Sequence, residues 1–281
     1  MSNYENYNNT SKSYDSNRNA YGTELIIGNL ISLDINNLKI LDIGCGTGNF
    51  LTEIRNIVTK NKNLKKLISE YHGLEPNGTM LEIAKKKNSN IAYKQGYAED
   101  LPYKDNVFDV ILCTQVLHHL LNPEKKSKKY ERVKKAISEM SRIIKKNGIT
   151  IINNSSIHQC CNSFWYYSLI PETKRKVKNY LISNEKIMEL LLQNNFKSFN
   201  AWNDVYSILI NEYFKEDGPL HKSWRNGDSV WSLVSTEELN KAIYTVKTLI
   251  KDNKMKDYIK KHDKKRLKFG QTTFIIAKKY N

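Results

Sequence analysis

Short apolar runs alternate with longer amphipathic stretches along the first 155 residues of the chain. The apolar runs predict strands at 38–43, 71–75, 91–95, 107–113 and 149–153. The amphipathic stretches predict helices at about 22–33, from residue 49 to 60, from residue 80 onward and at about 126–146, with Gly148 ending the last of these. Strands that alternate with helices are typical of a parallel sheet. The almost wholly apolar run 107–113 fits a strand that is covered on both faces.

Beyond residue 155 the pattern is less regular. It predicts a helix that starts near Ser183, strand material over 196–210 and a final strand over 270–278. The stretch 211–268 is longer than a hairpin connection and contains two predicted helices, which begin near Ser235 and Asp252. Ser235 and Glu238 have the spacing of a capping box.

The first strand passes into the next helix through Leu-Asp-Ile-Gly-Cys-Gly-Thr-Gly-Asn-Phe, residues 41–50. Glycine at alternate positions, Gly44, Gly46 and Gly48, allows a tight turn and lets a ligand approach the backbone. The spacing differs from the Gly-x-Gly-x-x-Gly of dinucleotide-binding turns. The carboxylate of Asp42 would repel a pyrophosphate, but it suits a ligand that carries an ammonium group and no phosphate. S-adenosylmethionine is such a ligand.

This glycine segment resembles that of the class I S-adenosylmethionine-dependent methyltransferases, and within them the type 11 branch. The resemblance covers residues 13 to 155 well and the remainder by topology. It implies an α/β three-layer sandwich, a Rossmann-like fold with a seven-stranded, mostly parallel sheet whose last strand is antiparallel. It also implies a single domain over 13–281, with 211–268 as a helical cap over the acceptor pocket. Residues 1–12 are polar and are predicted to form a disordered lead.

The resemblance also implies roles for acids and amides at the ends of the strands. Glu75, at the end of the second strand, would accept hydrogen bonds from both ribose hydroxyls. The backbone N–H near Ala98 would meet a ring nitrogen of the adenine, and either Glu99 or Asp100 would accept from its exocyclic amine. The sequence does not decide between the two acids.

Further cofactor contacts are implied at the methionine end. Thr114 and Gln115, directly after the fourth strand, would touch the methionine moiety. Tyr14 and Arg18 would fold over it, although a segment that only packs on the core explains them equally well. The predicted cofactor-binding residues are, in full, Tyr14, Arg18, Asp42, Gly44, Cys45, Gly46, Gly48, Asn49, Glu75, Pro76, Met80, Ala98, Glu99, Thr114 and Gln115.

Candidate bases follow the fourth and fifth strands. In the resembling family a histidine pair borders the methyl-transfer site, which singles out His118 and His119; the alternative is a packed, hydrogen-bonded structural pair. Tyr166 stands in an aromatic stretch, 158–167, that would either wall off a substrate or plug the core. His158 and Tyr167 in the same stretch are further candidates. No metal site is predicted, because ligand spacing is lacking and the four cysteines are too poorly spaced.

Composition narrows the class of protein. The chain has 281 residues, 40% of them hydrophobic, and no apolar run of membrane-spanning length. Its beginning has no apolar core of the kind found in signal peptides, so a cytoplasmic protein is expected. The formal charge of +16 arises from 45 Lys and Arg against 29 Asp and Glu. The lysines are spread along the chain, which favours a solvated basic surface, but two clusters at 174–178 and 260–268 stand out.

Three functions remain open at this point. The favoured one is a methyltransferase that acts on a small-molecule acceptor by in-line displacement, because the extra residues would lie beside the acceptor pocket. The basic surplus instead favours an RNA or protein methyltransferase, although a nucleic-acid partner is not the preferred interpretation. The third is a partner subunit that binds the cofactor without catalysis. The acceptor, the acceptor atom and the oligomeric state are not determined by the sequence.

Overall fold

The computed structural model describes residues 20–124, 128–206 and 212–280. The predicted lead at 1–12 and the predicted cofactor contacts Tyr14 and Arg18 lie outside the described residues. The elements of the first part are α1 (Thr23–Ile31), β1 (Leu38–Ile43), α2 (Asn49–Lys60), β2 (Ile68–Glu75), α3 (Gly78–Lys87), β3 (Ala92–Gln95), β4 (Phe108–Thr114), α4 (Glu131–Ile143) and β5 (Ile144–Asn154). They are followed by α5 (Ile157–Asn162), α6 (Pro171–Val177), α7 (Asn184–Leu192), β6 (Phe196–Asp204), α8 (Lys222–Arg225), α9 (Thr236–Lys251), α10 (Met255–Asp263), α11 (Arg266–Phe269) and β7 (Thr272–Lys279).

The seven strands form one sheet in the order β3-β2-β1-β4-β5-β7-β6. Strands β1 to β5 are parallel, and β7 runs antiparallel between β5 and β6. The predicted fold, with its antiparallel last strand, is therefore confirmed. The strand order reverses between β1 and β4, and in open α/β sheets ligands bind outside the carboxyl ends of the strands at such a point.

Helices cover both faces of the sheet and complete the three layers. On one face, Ile40 of β1 and Val110 of β4 are buried in a core that includes α1 and α2. On the other face, the neighbouring residues Leu41 and Ile111 are buried with the apolar stripe of α4. Successive strand residues point to opposite faces, so a run that is apolar at every position suits a strand covered on both sides. None of the described helices combines the length and apolar character needed to cross a bilayer.

Among the predicted boundaries that differ from the structure are those before β5 and after β6. The helix predicted at 126–146 is α4, which ends at Ile143, because Ile144 already pairs with Phe108 in the parallel ladder. Gly148 therefore lies inside β5, beside Asn147, whose φ of 64° marks an irregularity of that strand. The strand predicted over 196–210 ends at Asp204, and residues 207–210 lie outside the described part.

The two helices predicted after residue 211 are confirmed as α9 and α10. Half of the predicted capping box forms, since the Ser235 hydroxyl accepts the N–H of Glu238 at 3.2 Å. The Glu238 carboxylate does not return to Ser235. It accepts instead from the backbone N–H of Glu172, at 2.7 Å, and from the hydroxyl of Thr173, at 2.6 Å. This carboxylate therefore ties α9 to the first turn of α6.

Candidate active site

The glycine segment forms the loop between β1 and α2 and lies against two neighbouring elements. Gly44 has φ 71°, and a Cβ there would stand 2.4 Å from a methyl group of Val116, just after β4. Gly48 has φ 77°, and its Cβ would stand 2.4 Å from the Tyr93 hydroxyl. A side chain at either position is excluded by both backbone conformation and space, so the loop packs as closely as the sequence predicted.

Asp42 is the buried acid of this loop. It lies at the carboxyl end of β1, between Gly73 of β2 and Leu112 of β4 in the ladder, and is 1% exposed. Neither carboxylate oxygen has a hydrogen-bond partner. Burial, and then the charge of Glu75, raise the pKa of Asp42 from 3.8 to about 8. A buried carboxylate without a partner is costly, so this one is suited to receive a cationic or hydrogen-bonding group from outside the chain.

Glu75 lies one strand away, at the end of β2. Its two carboxylate oxygens accept the backbone N–H of Gly46, at 3.0 Å, and of Asn77, at 2.9 Å. Burial raises the pKa of Glu75, and these two N–H groups partly oppose the rise. A carboxylate has about four acceptor positions, so two remain for further donors. The pKa of the Cys45 thiol is also raised, by burial and then by the charges of Asp42 and Glu75, which shows that the three groups share one site.

Three more of the predicted residues, Asn49, Pro76 and Met80, lie at the start of α2, in the β2–α3 turn and in α3. Asn49 is the first residue of α2, and its side chain accepts a hydrogen bond from Lys87. The carbonyl of Pro76 accepts from Gln95 at 3.0 Å. Met80 is buried, and its methyl group stands 3.7 Å from where a Cβ of Gly46 would be.

The two acids of the predicted adenine loop, Glu99 and Asp100, differ in burial and in hydrogen bonding. Ala98 is buried and Asp100 is exposed. Glu99 receives Arg132 on one oxygen, at 2.5 Å, whereas its other oxygen is buried without a partner. Of the two acids that the sequence left open, Glu99 is therefore the one with a buried oxygen that has no partner.

The end of β4 carries an unusual backbone. Thr114 is buried and pairs with Asn153 of β5, and Gln115 follows with φ 56°. The left-handed conformation costs a residue other than glycine about 1–2 kcal/mol. Gln115 donates its backbone N–H to the carbonyl of Asn153 at 2.9 Å and its side-chain amide to Asn153 Oδ1 at 2.7 Å.

Two members of this cluster, Tyr21 and Asn153, were not among the residues predicted from the sequence. The hydroxyl of Tyr21 donates to Asn153 Oδ1 at 2.9 Å, and Asn153 Nδ2 donates to Thr272 at 3.0 Å. The polar residues directly after the fifth apolar run were a visible signal for Asn153. No local pattern marks Tyr21, because its contact spans 132 positions of sequence.

The two candidate histidines lie on a 3₁₀ helix, Leu117–Leu120, that begins just beyond Gln115. Both are half-buried, and their ring centroids stand 3.9 Å apart at an interplanar angle of 48°. The contact between Val116 and Gly44 brings this segment against the glycine loop. The pair therefore borders the same edge of the sheet as Asp42.

Tyr166 belongs to an aromatic cluster. It is 1% exposed, its ring stacks on Trp231 and packs edge-on against Trp224, and its hydroxyl donates to Asp228 at 2.5 Å. Tyr167 lies in the same cluster. His158 is exposed and packs against Phe269. The structure thus brings together the residues predicted around the glycine loop and the histidine pair. It places Tyr166 against Trp224 and Trp231, which belong to the stretch predicted as a cap, 211–268, called the cap segment below.

Within the described ranges, no three His, Cys, Asp or Glu side chains are grouped in a way that would hold a metal ion.

Comparisons with known proteins agree on one family. Residues 34–211 match the family described as "Methyltransferase domain". The chain is 24% identical over 184 residues to a ubiquinone/menaquinone biosynthesis C-methyltransferase of Campylobacter jejuni, a match that covers 63% of this chain and 71% of the relative. It is 23% identical over 220 residues to a ubiquinone biosynthesis O-methyltransferase of Rickettsia bellii, covering 77% and 78%. A solved methyltransferase structure assigned to antibiotic biosynthesis in Anabaena variabilis is 18% identical with a TM-score of 0.65, covers 89% of this chain and 95% of its own, and shares the fold.

Proposed function

This chain belongs to the methyltransferase-domain family, and on that premise we propose that it transfers the methyl group of S-adenosylmethionine to a small-molecule acceptor. The observation that carries the proposal is Asp42, whose two buried oxygens lack partners beside a loop that only glycine can form. The α-ammonium group of S-adenosylmethionine supplies the positive charge that this carboxylate lacks.

The other residues of the edge fit the rest of the cofactor. Glu75 has two acceptor positions left for the two ribose hydroxyls after its backbone contacts. Glu99 has a buried oxygen for the exocyclic amine of the adenine, and the backbone N–H of Ala98 is the matching donor. Thr114 and Gln115 border the methionine end.

When bound, the cofactor supplies a methyl group on a sulfonium, so the carbon is already activated for displacement. The protein's part is to hold the acceptor atom in line with the S–CH3 bond and to exclude water. The acceptor's electron pair would form the new bond to carbon, and the electron pair of the S–CH3 bond would leave with the sulfur as a neutral thioether. Where the acceptor still carries a proton, His118 or His119 would remove it.

The names of the two relatives support a small-molecule acceptor, since both proteins are named for steps of quinone biosynthesis. A second candidate, methylation of RNA, is favoured by one observation. Burial, and then the charges of Lys261 and Lys174, lower the pKa of His262, so one lysine from each of the basic clusters at 174–178 and 260–268 lies near this histidine. Such a surface attracts polyanions.

The test is transfer of a radiolabelled methyl group from S-adenosylmethionine to pooled acceptors, run beside total RNA, with the D42N variant as control. We expect label in the phenol and hydroquinone pools with the wild type and none with D42N. Labelling confined to RNA would favour the second candidate. Absence of cofactor binding by the folded wild type would contradict both.

A further inference from the structure

Asn153 joins three elements at the carboxyl edge of the sheet. It is the last residue but one of β5 and is 1% exposed. Its Oδ1 accepts from the Tyr21 hydroxyl, ahead of α1, and from the side chain of Gln115, after β4. Its Nδ2 donates to Thr272, the first residue of β7. One side chain therefore ties the approach to α1 and the start of β7 to the end of β4.

The contact with Gln115 matters most, because that residue has a backbone conformation that glutamine rarely adopts. The carbonyl and the side chain of Asn153 both bind Gln115, at 2.9 and 2.7 Å. Residues in the left-handed region persist where their surroundings hold them, and they cluster at binding sites. The turn at Gln115 also places Val116 against Gly44 of the glycine loop.

We propose that Asn153 is a positioning residue for methyl transfer, whose amide holds Gln115 in its left-handed conformation and so fixes the wall of the site between the end of β4 and the glycine loop. The inference rests on the proposed function, since Gln115 is the residue taken to border the methionine end. In this proposal Asn153 acts through its hydrogen bond to Gln115.

The chain offers a matched control in the next residue. Asn154 is also 1% exposed, and its Nδ2 donates two hydrogen bonds, to the carbonyl of Ile182 at 3.1 Å and to Asn184 Oδ1 at 2.9 Å. Successive residues of a strand point to opposite faces, so the side chain of Asn154 is directed away from Gln115. Loss of either amide damages the fold to a similar degree, but one of them alone supports Gln115.

The experiment is calorimetric titration of S-adenosylmethionine into the wild type and three variants, with thermal unfolding of each. Asn153→Ala is expected to raise the Kd about 10-fold, as expected for the loss of one or two hydrogen bonds. Asn154→Ala should stay within about 2-fold of the wild type, although its midpoint of unfolding falls comparably. Asn153→Asp should bind nearly as the wild type, because its oxygens accept the same bonds once the Thr272 hydroxyl turns to donate.

A double variant tests the route through Gln115. In a Gln115→Gly background there is no side chain to hold and no strained backbone, so Asn153→Ala should cause no further loss of affinity. Wild-type affinity in Asn153→Ala would overturn the proposal, as would equal losses in Asn153→Ala and Asn154→Ala. If Asn153→Ala does not fold, a 10-fold loss in Asn153→Asp would overturn it. Failure of the wild type to bind would instead overturn the proposed function on which it rests.

Discussion

Two buried carboxylates lie in different regions of this molecule and differ in their hydrogen bonding. Glu238, on α9 of the cap segment, is 4% exposed and accepts from the backbone of Glu172 and from both the backbone and the hydroxyl of Thr173. Asp42, at the glycine loop, is 1% exposed and accepts nothing. The two carboxylates are therefore buried to a similar extent, but Glu238 is fully engaged in hydrogen bonds within the chain whereas Asp42 has none.

The difference separates structural from ligand-binding residues. A buried charge is tolerated when hydrogen bonds replace the water it has lost, which is how Glu238 joins α9 to α6. Asp42 has no such replacement, and its raised pKa records the cost of ionising it. The polar group that the fold leaves open is thus a better indicator of the cofactor site than burial or charge alone.

The aromatic cluster resembles the Glu238 region. The indole N–H of Trp165 donates to the carbonyl of Tyr213 at 2.8 Å, and the hydroxyl of Tyr213 donates to Asp263 at 2.8 Å. Tyr166 likewise donates to Asp228. Polar atoms that are paired within the chain in this way are typical of a packed structural cluster, and the indole N–H of Trp231 is the exception among these side chains, because it is buried without a partner.

The largest expected effect concerns Asp42 and pH. The pKa of Asp42 is higher in the folded protein, about 8, than the ordinary value of 3.8. The protonated carboxyl group therefore stabilises the fold fully below pH 3.8, and this contribution is lost as the pH rises towards about 8. The D42N variant lacks this titration, whereas Glu75 is present in both proteins. From pH 5 to 7.5 the stability of the wild type should therefore fall relative to D42N by about 3 kcal/mol, measured by urea unfolding. A constant difference would contradict the raised pKa.

A somewhat smaller effect is expected at Glu238. Glu238→Ala leaves the N–H groups of α6 and the Thr173 hydroxyl without their acceptor, so it should lower the free energy of unfolding by about 2–3 kcal/mol. Its Kd for S-adenosylmethionine should stay unchanged, because the role of Glu238 is structural. Calorimetric titration of the folded variant measures this Kd. A higher Kd in a variant that is fully folded would contradict the distinction between a structural Glu238 and a ligand-binding Asp42.

The smallest effect is expected at Tyr166. Tyr166→Phe removes one hydrogen bond to Asp228 and should cost about 1 kcal/mol in thermal or urea unfolding. If the cluster is structural, kcat with the first acceptor found should be retained. If Tyr166 is a base, as the sequence also suggested, kcat should fall by roughly 100-fold or more with little change in stability. Tyr213→Phe, which removes the hydrogen bond to Asp263 in the same cluster, is the matched control.

The parallel sheet and the glycine loop were predictable because both depend on patterns between residues that are close in sequence. Strand β1 and helix α2 follow from an apolar run, alternate glycines and an amphipathic period, and their bounds agree with the structure. The boundary between α4 and β5 was not predictable, because Ile144 continues the apolar stripe of the helix and only its pairing with Phe108 makes it a strand residue.

Part of the site depends on contacts that are distant in sequence. The position of Asp42 was predictable, but its lack of partners depends on how β2 and β4 pack beside it. The choice of Glu99 over Asp100 depends on which oxygen Arg132 occupies. The roles of Tyr21 and Asn153 emerge only when α1, β4 and β5 meet at one edge.

The most direct test of the account is the proton balance of cofactor binding. S-adenosylmethionine should be titrated at pH 6.5 into the wild type and D42N, in buffers of differing ionisation enthalpy. Asp42 is protonated in the free protein at that pH and must ionise to pair with the ammonium group, so the wild type should release about one proton per cofactor bound. D42N should release none and bind far more weakly. Tight binding by the wild type without proton release, or equal release by D42N, would contradict the assignment of Asp42 as the partner of the cofactor.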